Sequence, residues 1–164
     1  MPFRHPDRSA DLGTRIEFEV RERVEEAVDY VCLEALVRAR RARGLPPPSA
    51  DSVSDKAAYA AAVVDFLERL RREVTADVGP ELRDKLRGET GDPGDPQARL
   101  VTAHVALARL LPDYWQRFDA VRSRYLAEAS AGEAPGGGET AGAGPGDESG
   151  SEGRSLLGRL FGRR

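Results

Sequence analysis

Residues 100–125, Leu100-Val101-Thr102-Ala103-His104-Val105-Ala106-Leu107-Ala108-Arg109-Leu110-Leu111-Pro112-Asp113-Tyr114-Trp115-Gln116-Arg117-Phe118-Asp119-Ala120-Val121-Arg122-Ser123-Arg124-Tyr125, decide the fold class. Leu100, His104, Leu107, Leu111, Tyr114, Phe118, Val121 and Tyr125 follow one another at alternating steps of four and three. On a helix that spacing lines one face, like the seam of a heptad repeat. Pro112 carries no backbone donor and crowds the preceding turn. The seam therefore predicts a kink near Leu111 or two consecutive helices. Asp95-Pro96 opens the stretch.

Upstream, Thr14-Arg15-Ile16-Glu17 reads as a capping box, in which the Thr14 hydroxyl and the Glu17 carboxylate each satisfy a free backbone donor. Ile16, Val20, Val24, Ala27, Val28, Val31 and Ala35 follow at helical steps. From Ala27 to Val37 the apolar surface widens to take in Tyr30, Cys32, Leu33, Leu36 and Val37, which predicts a helix central to its domain. Gly44 and Pro46-Pro47-Pro48 stop it. A second helix is expected from Ser54 or Asp55 to about Asp77, with Tyr59, Val63, Leu67, Leu70, Val74 and Val78 as its stripe. Gly79-Pro80 ends it, and a short third helix is expected from Pro80 to Arg87. Residues 88–96 read as a loop by composition. No alternating strand pattern of useful length appears. The expected fold is all-α, a small helical bundle of three to five helices.

The expected organisation is a loose leader over 1–13, a bundle over 14–130, a Gly- and acid-rich tether over 131–153 and a basic amphipathic peptide over 154–164. Residues 131–153 hold 9 Gly and five acids but no Arg, Lys or aromatic residue. Such a composition buries too little apolar surface to offset the entropy of ordering it. A disordered coil of that length spans roughly 25–30 Å.

Composition also restricts function. Charged residues make up 32% of the chain against 6% aromatics, and the formal net charge is -3, which argues against a generally basic nucleic-acid binder. With 23 Arg against 2 Lys and no Asn, the chain has the composition of a GC-rich genome, so only the placement of arginines is informative. The one cysteine, Cys32, excludes an internal disulfide and fits a reducing, cytoplasmic setting. No apolar run approaches the ~20 residues needed to span a bilayer. No secretory signal is expected at Met1–Pro6.

The only histidines, His5 and His104, have no metal-ligand spacing, and no Gly-rich phosphate loop or nucleophile elbow is present. The expectation is therefore a non-catalytic protein without cofactor, metal or nucleic acid. Another reading, a ligand-binding or enzymatic bundle around His104 with Tyr114 or Tyr125, requires acids converging on that imidazole in a pocket. Cys32 reads as a small core residue, and Trp115 as marking the rim of the core. Arg38, Arg40, Arg41 and Arg43 are candidate anion-binding residues, although cations near a helix C-terminus also complement its partial negative charge. The seam from Leu100 to Tyr125 makes a homodimer plausible if it packs against a second copy.

The C-terminal peptide departs from everything before it. Arg154-Ser155-Leu156-Leu157-Gly158-Arg159-Leu160-Phe161-Gly162-Arg163-Arg164 carries four Arg and no acid. On a helical wheel Leu156, Leu157, Leu160 and Phe161 share an arc of ~140°, flanked by Arg154, Arg163 and Arg164, with Arg159 opposite. That is the pattern of an interfacial helix. The peptide resembles the membrane-targeting tails of bacterial Min- and FtsA-type division proteins, where a basic amphipathic tip follows a flexible tether. The resemblance covers residues 154–164 alone and implies reversible attachment to the inner face of a membrane. With the abrupt switch from acidic tether to basic apolar tip, the leading expectation is a non-catalytic adaptor or scaffold tethered in this way. Leu157-Gly158-Arg159-Leu160 after a Gly/Pro-rich tether also resembles encapsulin cargo-loading peptides, with Arg159 where those carry a small residue. That likeness implies docking into a protein partner or shell instead.

Overall fold

A computed structural model describes residues 11–89 and 95–136 as five helices: α1 (Leu12–Ala42), α2 (Val53–Thr75), α3 (Pro80–Glu89), α4 (Pro96–Leu110) and α5 (Tyr114–Ser130). No strand occurs among the described residues, so the fold is all-α. The leader up to Ala10, most of the tether (137–153) and the whole peptide 154–164 lie outside the described residues.

The helix starts follow local hydrogen-bonding chemistry. α1 begins three residues earlier than the capping box at Thr14 implies. Asp11 takes the cap, accepting from the Thr14 backbone N–H (3.0 Å) and from the Thr14 hydroxyl (2.9 Å). A carboxylate that satisfies two donors of the first turn leaves Thr14 inside the helix rather than at its cap. The backbone bond from Thr14, then its hydroxyl, hold the Asp11 carboxyl below its usual range. Ser52 caps α2 by accepting from Asp55 N–H, and Asp95 caps α4 with Pro96 in the first turn, where its missing donor costs nothing. Pro112 divides the long seam into α4 and α5, the second of the two outcomes the sequence allowed.

α1, α2, α4 and α5 pack around one core, and α3 lies against α4. Asp29 meets Tyr59 and Arg40 meets Asp55, so α1 and α2 run antiparallel. Arg69 reaches Glu128 while Arg117 reaches Asp77, so α2 and α5 are antiparallel as well. One end of the bundle, the loop end, thus collects the C-terminus of α1, the N-terminus of α2 and the C-terminus of α5.

The core is built from the expected stripes. Leu100, His104, Leu107, Tyr114, Phe118, Val121 and Tyr125 are all buried within the chain, so that face is already covered and is not open to a second copy. Phe66 meets Phe118 and Tyr125 edge-on at centroid distances of 5.3 and 5.2 Å, an arrangement that adds to their area burial. α1 is central, touching α2, α4 and α5. Its apolar surface is narrower than the sequence suggests, because Tyr30 stands 64% exposed on the side away from the bundle axis.

Candidate functional site

His104 comes from the middle of α4, where the seam aims it at the centre of the bundle; it has no exposed surface. Its Nε2 lies 2.8 Å from the Leu67 carbonyl oxygen and its Nδ1 lies 3.0 Å from the Tyr114 hydroxyl. A carbonyl only accepts, so Nε2 carries the proton and Nδ1 accepts from Tyr114. Burial pushes the imidazole down to about 4, against a smaller opposing effect of the Leu67 bond. Burial also raises the Tyr114 phenol. Both ring nitrogens and the phenol proton are therefore engaged in joining α4 to α2 and α5. Tyr125 does not join them: its hydroxyl donates to the Ala62 carbonyl at 3.2 Å.

Cys32 is fully buried on α1. Burial first, and then the carboxylates of Asp29 and Asp65, push its thiol well above the ordinary range. Because the thiolate is the nucleophilic form, this sulfur is held in its inert form. Among the described residues no three His, Cys, Asp or Glu side chains converge in a way that could hold a metal ion.

A concave surface between two of the helices was not foreseen from the sequence. A groove of ≈ 860 Å³ runs between α2 and α5, walled by Asp65, Arg69, Arg72, Glu73, Asp77, Arg117, Arg124 and Glu128. Its cations are matched by its acids. Arg69 pairs with Asp65 at 3.1 Å and with Glu128, and its guanidinium lies 5.2 Å from the Tyr125 ring centroid. Arg117 pairs with Asp113 at 2.7 Å and Asp77 at 2.6 Å, and donates to the Glu73 carbonyl at 3.1 Å. Arg124 reaches Glu73 at 3.1 Å. The bond from Arg117 holds the Asp77 carboxyl low, while Asp77 and Asp113 raise the guanidinium. The groove is lined by ion pairs that fasten α5 to α2. Its charged residues come from two helices far apart in sequence, and only the antiparallel pairing brings them together.

The four arginines at the end of α1 separate into two kinds. Arg38 bonds Glu34 one turn back at 2.8 Å. Arg40 donates to the Pro46 carbonyl at 2.6 Å and pairs with Asp55, so it closes the α1–α2 loop. The Asp55 carboxyl is held low by the Ser49 backbone N–H and, behind it, by Arg40. Arg41 and Arg43 are exposed and have no ion pair among the described residues. Trp115 is half-buried at the rim, with the Arg23 guanidinium 4.0 Å over its ring.

No helix among the described residues is long and apolar enough to cross a membrane. No family model, curated protein or solved structure matches the chain. The candidate peptide, with Arg154, Leu156, Leu157, Arg159, Leu160, Phe161, Arg163 and Arg164, lies outside the described residues.

Proposed function

We propose that this chain is a non-catalytic helical adaptor tethered reversibly to an anionic membrane surface by residues 154–164. The observation that carries the proposal is the segregation of that peptide, with four large apolar side chains in one arc and arginines along its flanks. Each cation brought near an anionic leaflet contributes on the order of 1 kcal/mol. Each buried Leu or Phe adds ~1.5–3 kcal/mol before ordering costs. Eleven residues with two glycines do not hold a helix alone in water, so the helix forms as it binds and the contact is reversible. The preceding Gly-rich segment has the composition of a coil that lets the peptide search for a surface. The adaptor reading is supported by the bundle itself, whose imidazole, thiol and phenols at His104, Cys32, Tyr114 and Tyr125 are buried in packing.

Sedimentation with phosphatidylserine-containing vesicles tests the proposal. The full chain is expected in the pellet and the chain ending at Gly153 in the supernatant. Equal pelleting of the two removes the idea. Recovery of a protein rather than lipid by residues 131–164 on an inert reporter favours the docking-peptide reading instead.

A further inference from the structure

We propose that the loop end of the bundle is a second membrane contact, and that Arg41, Arg43, Leu45 and Val53 lie down on the same anionic lipid that the C-terminal peptide engages. This inference rests on the membrane reading of residues 154–164 and adds an orientation to it.

Three observations converge on this end. First, Arg38 and Arg40 are engaged by Glu34, Asp55 and the Pro46 carbonyl, whereas Arg41 and Arg43 project from the last turn of α1 without an ion pair among the described residues. Counting Lys56, this end carries three cations outside the ion pairs of the described residues against two acids, Asp51 and Glu133, an excess of one positive charge. Second, two large apolar side chains stand exposed beside them, Leu45 at 44% and Val53 at 81%. Exposed apolar residues interleaved with cations are what an anionic lipid interface accepts: the cations meet head groups while the aliphatic side chains enter below them.

Third, the segment after α5 turns at this end before running back along α2. α5 ends at Ser130, and a methyl placed on Gly132 would sit 3.8 Å from the Ala42 Cβ at the end of α1. Gly136, the last described residue, lies against Ala61, where an added Cβ would come within 3.1 Å. Ala61 is ~12 Å along α2 from Val53 at the helical rise. A coil as long as the 17 residues between Gly136 and Arg154 would reach roughly 21–25 Å. A peptide anchored in lipid therefore keeps the loop end close to the same surface at high effective concentration, and weak contacts there add to the avidity.

The test uses the full chain, the chain ending at Gly153 and three substituted chains, on vesicles of phosphatidylcholine with and without phosphatidylserine. Arg41→Gln with Arg43→Gln removes two exposed cations without disturbing a described contact. Val53→Cys and Gly79→Cys each carry an environment-sensitive fluorophore; Gly79 lies past the far end of α2, in open space, and the buried Cys32 does not take the label. On anionic vesicles the double glutamine chain should bind about tenfold to thirtyfold more weakly than wild type, at ~fivefold per cation. The Val53→Cys label should shift to the blue and the Gly79→Cys label should not.

Wild-type affinity in the double glutamine chain, or equal shifts at both labels, overturns the orientation while leaving peptide-dependent binding intact. Tighter binding by the double glutamine chain also overturns it, because the arginines would then be covered by the chain's own acidic segment. Pelleting that ignores the loss of residues 154–164 overturns the tail reading instead.

Discussion

Tyr114 and His104 are joined by a 3.0 Å hydrogen bond across the break at Pro112, and the other nitrogen of the same imidazole is bonded to the Leu67 carbonyl of α2. One side chain thus ties three helices at the centre of the bundle. The seam needs a break to turn the chain back, and the break frees α5 to bring Tyr114 against α4. The polar pair replaces the continuity that an unbroken helix would have had.

This pair makes stability depend on pH with a definite sign. The His104 imidazole is depressed to about 4 in the folded chain, below its unfolded value of 6.5. Its contribution is therefore fully present above pH 6.5 and is lost as pH falls from there toward 4, because the unfolded chain takes up a proton that the folded one refuses. Denaturant titrations at pH 7 and pH 5 should differ by on the order of 1–2 kcal/mol. The low carboxyls of Asp11, Asp55 and Asp77 act in a lower window, their stabilisation being lost only below their ordinary value of 3.8. His104→Gln should flatten the profile between pH 6.5 and 4. An unchanged slope there would show that His104 titrates freely in the folded state.

Removing the hydroxyl tests the same link from the other side. Tyr114→Phe keeps the ring in its packing against Trp115, at a centroid distance of 5.2 Å, but leaves His104 Nδ1 buried without its donor. A buried acceptor left unsatisfied costs about 1–3 kcal/mol. Chemical denaturation should show a loss in that range, and a double-mutant cycle with His104→Gln should show strong coupling. Additive losses would mean that the two side chains do not act as a pair.

The helices and the core were legible in the sequence because periodicity reports which face is buried, and the line from Leu100 to Tyr125 is buried along almost its whole length. Three features were not legible. The start of α1 depended on a competition between Asp11 and Thr14 for the same first-turn donors, and either residue type caps well. Tyr30 looked like part of the apolar surface because its neighbours are apolar, yet it points away from the three helices that α1 touches. The groove between α2 and α5 depends on register between segments more than 40 positions apart, such as Glu73 with Arg117 and Arg69 with Glu128, and charge spacing within either helix carries no sign of it. The arginines of α1 were visible as a cluster, but the structure had to separate Arg38 and Arg40, held by local partners, from Arg41 and Arg43.

α1 and α5 both finish in the same motif. Leu45 N–H bonds the Arg40 carbonyl at 2.9 Å and Gly44 N–H bonds that of Arg41 at 3.0 Å; Glu133 and Gly132 repeat the pattern on Glu128 and Ala129 at 3.3 and 3.0 Å. This paired closure requires a left-handed residue, and Gly44 and Gly132 supply it with φ of 69° and 90°. A Cβ at Gly44 would meet nothing within 4 Å, and one at Gly132 would make only an ordinary contact, so the cost of alanine there is conformational rather than steric. Gly44→Ala and Gly132→Ala should each destabilise by about 1 kcal/mol. Gly79 is also in open space and lacks a left-handed backbone, but it precedes α3 and its carbonyl accepts from Arg83 N–H at 3.1 Å. Alanine restricts the unfolded chain but caps a helix less well than glycine, so Gly79→Ala should stay within about 0.5 kcal/mol of wild type. Thermal melts should therefore fall for Gly44→Ala and Gly132→Ala and stay near wild type for Gly79→Ala, and a Gly44→Ala chain as stable as wild type would show that α1 does not end in this turn.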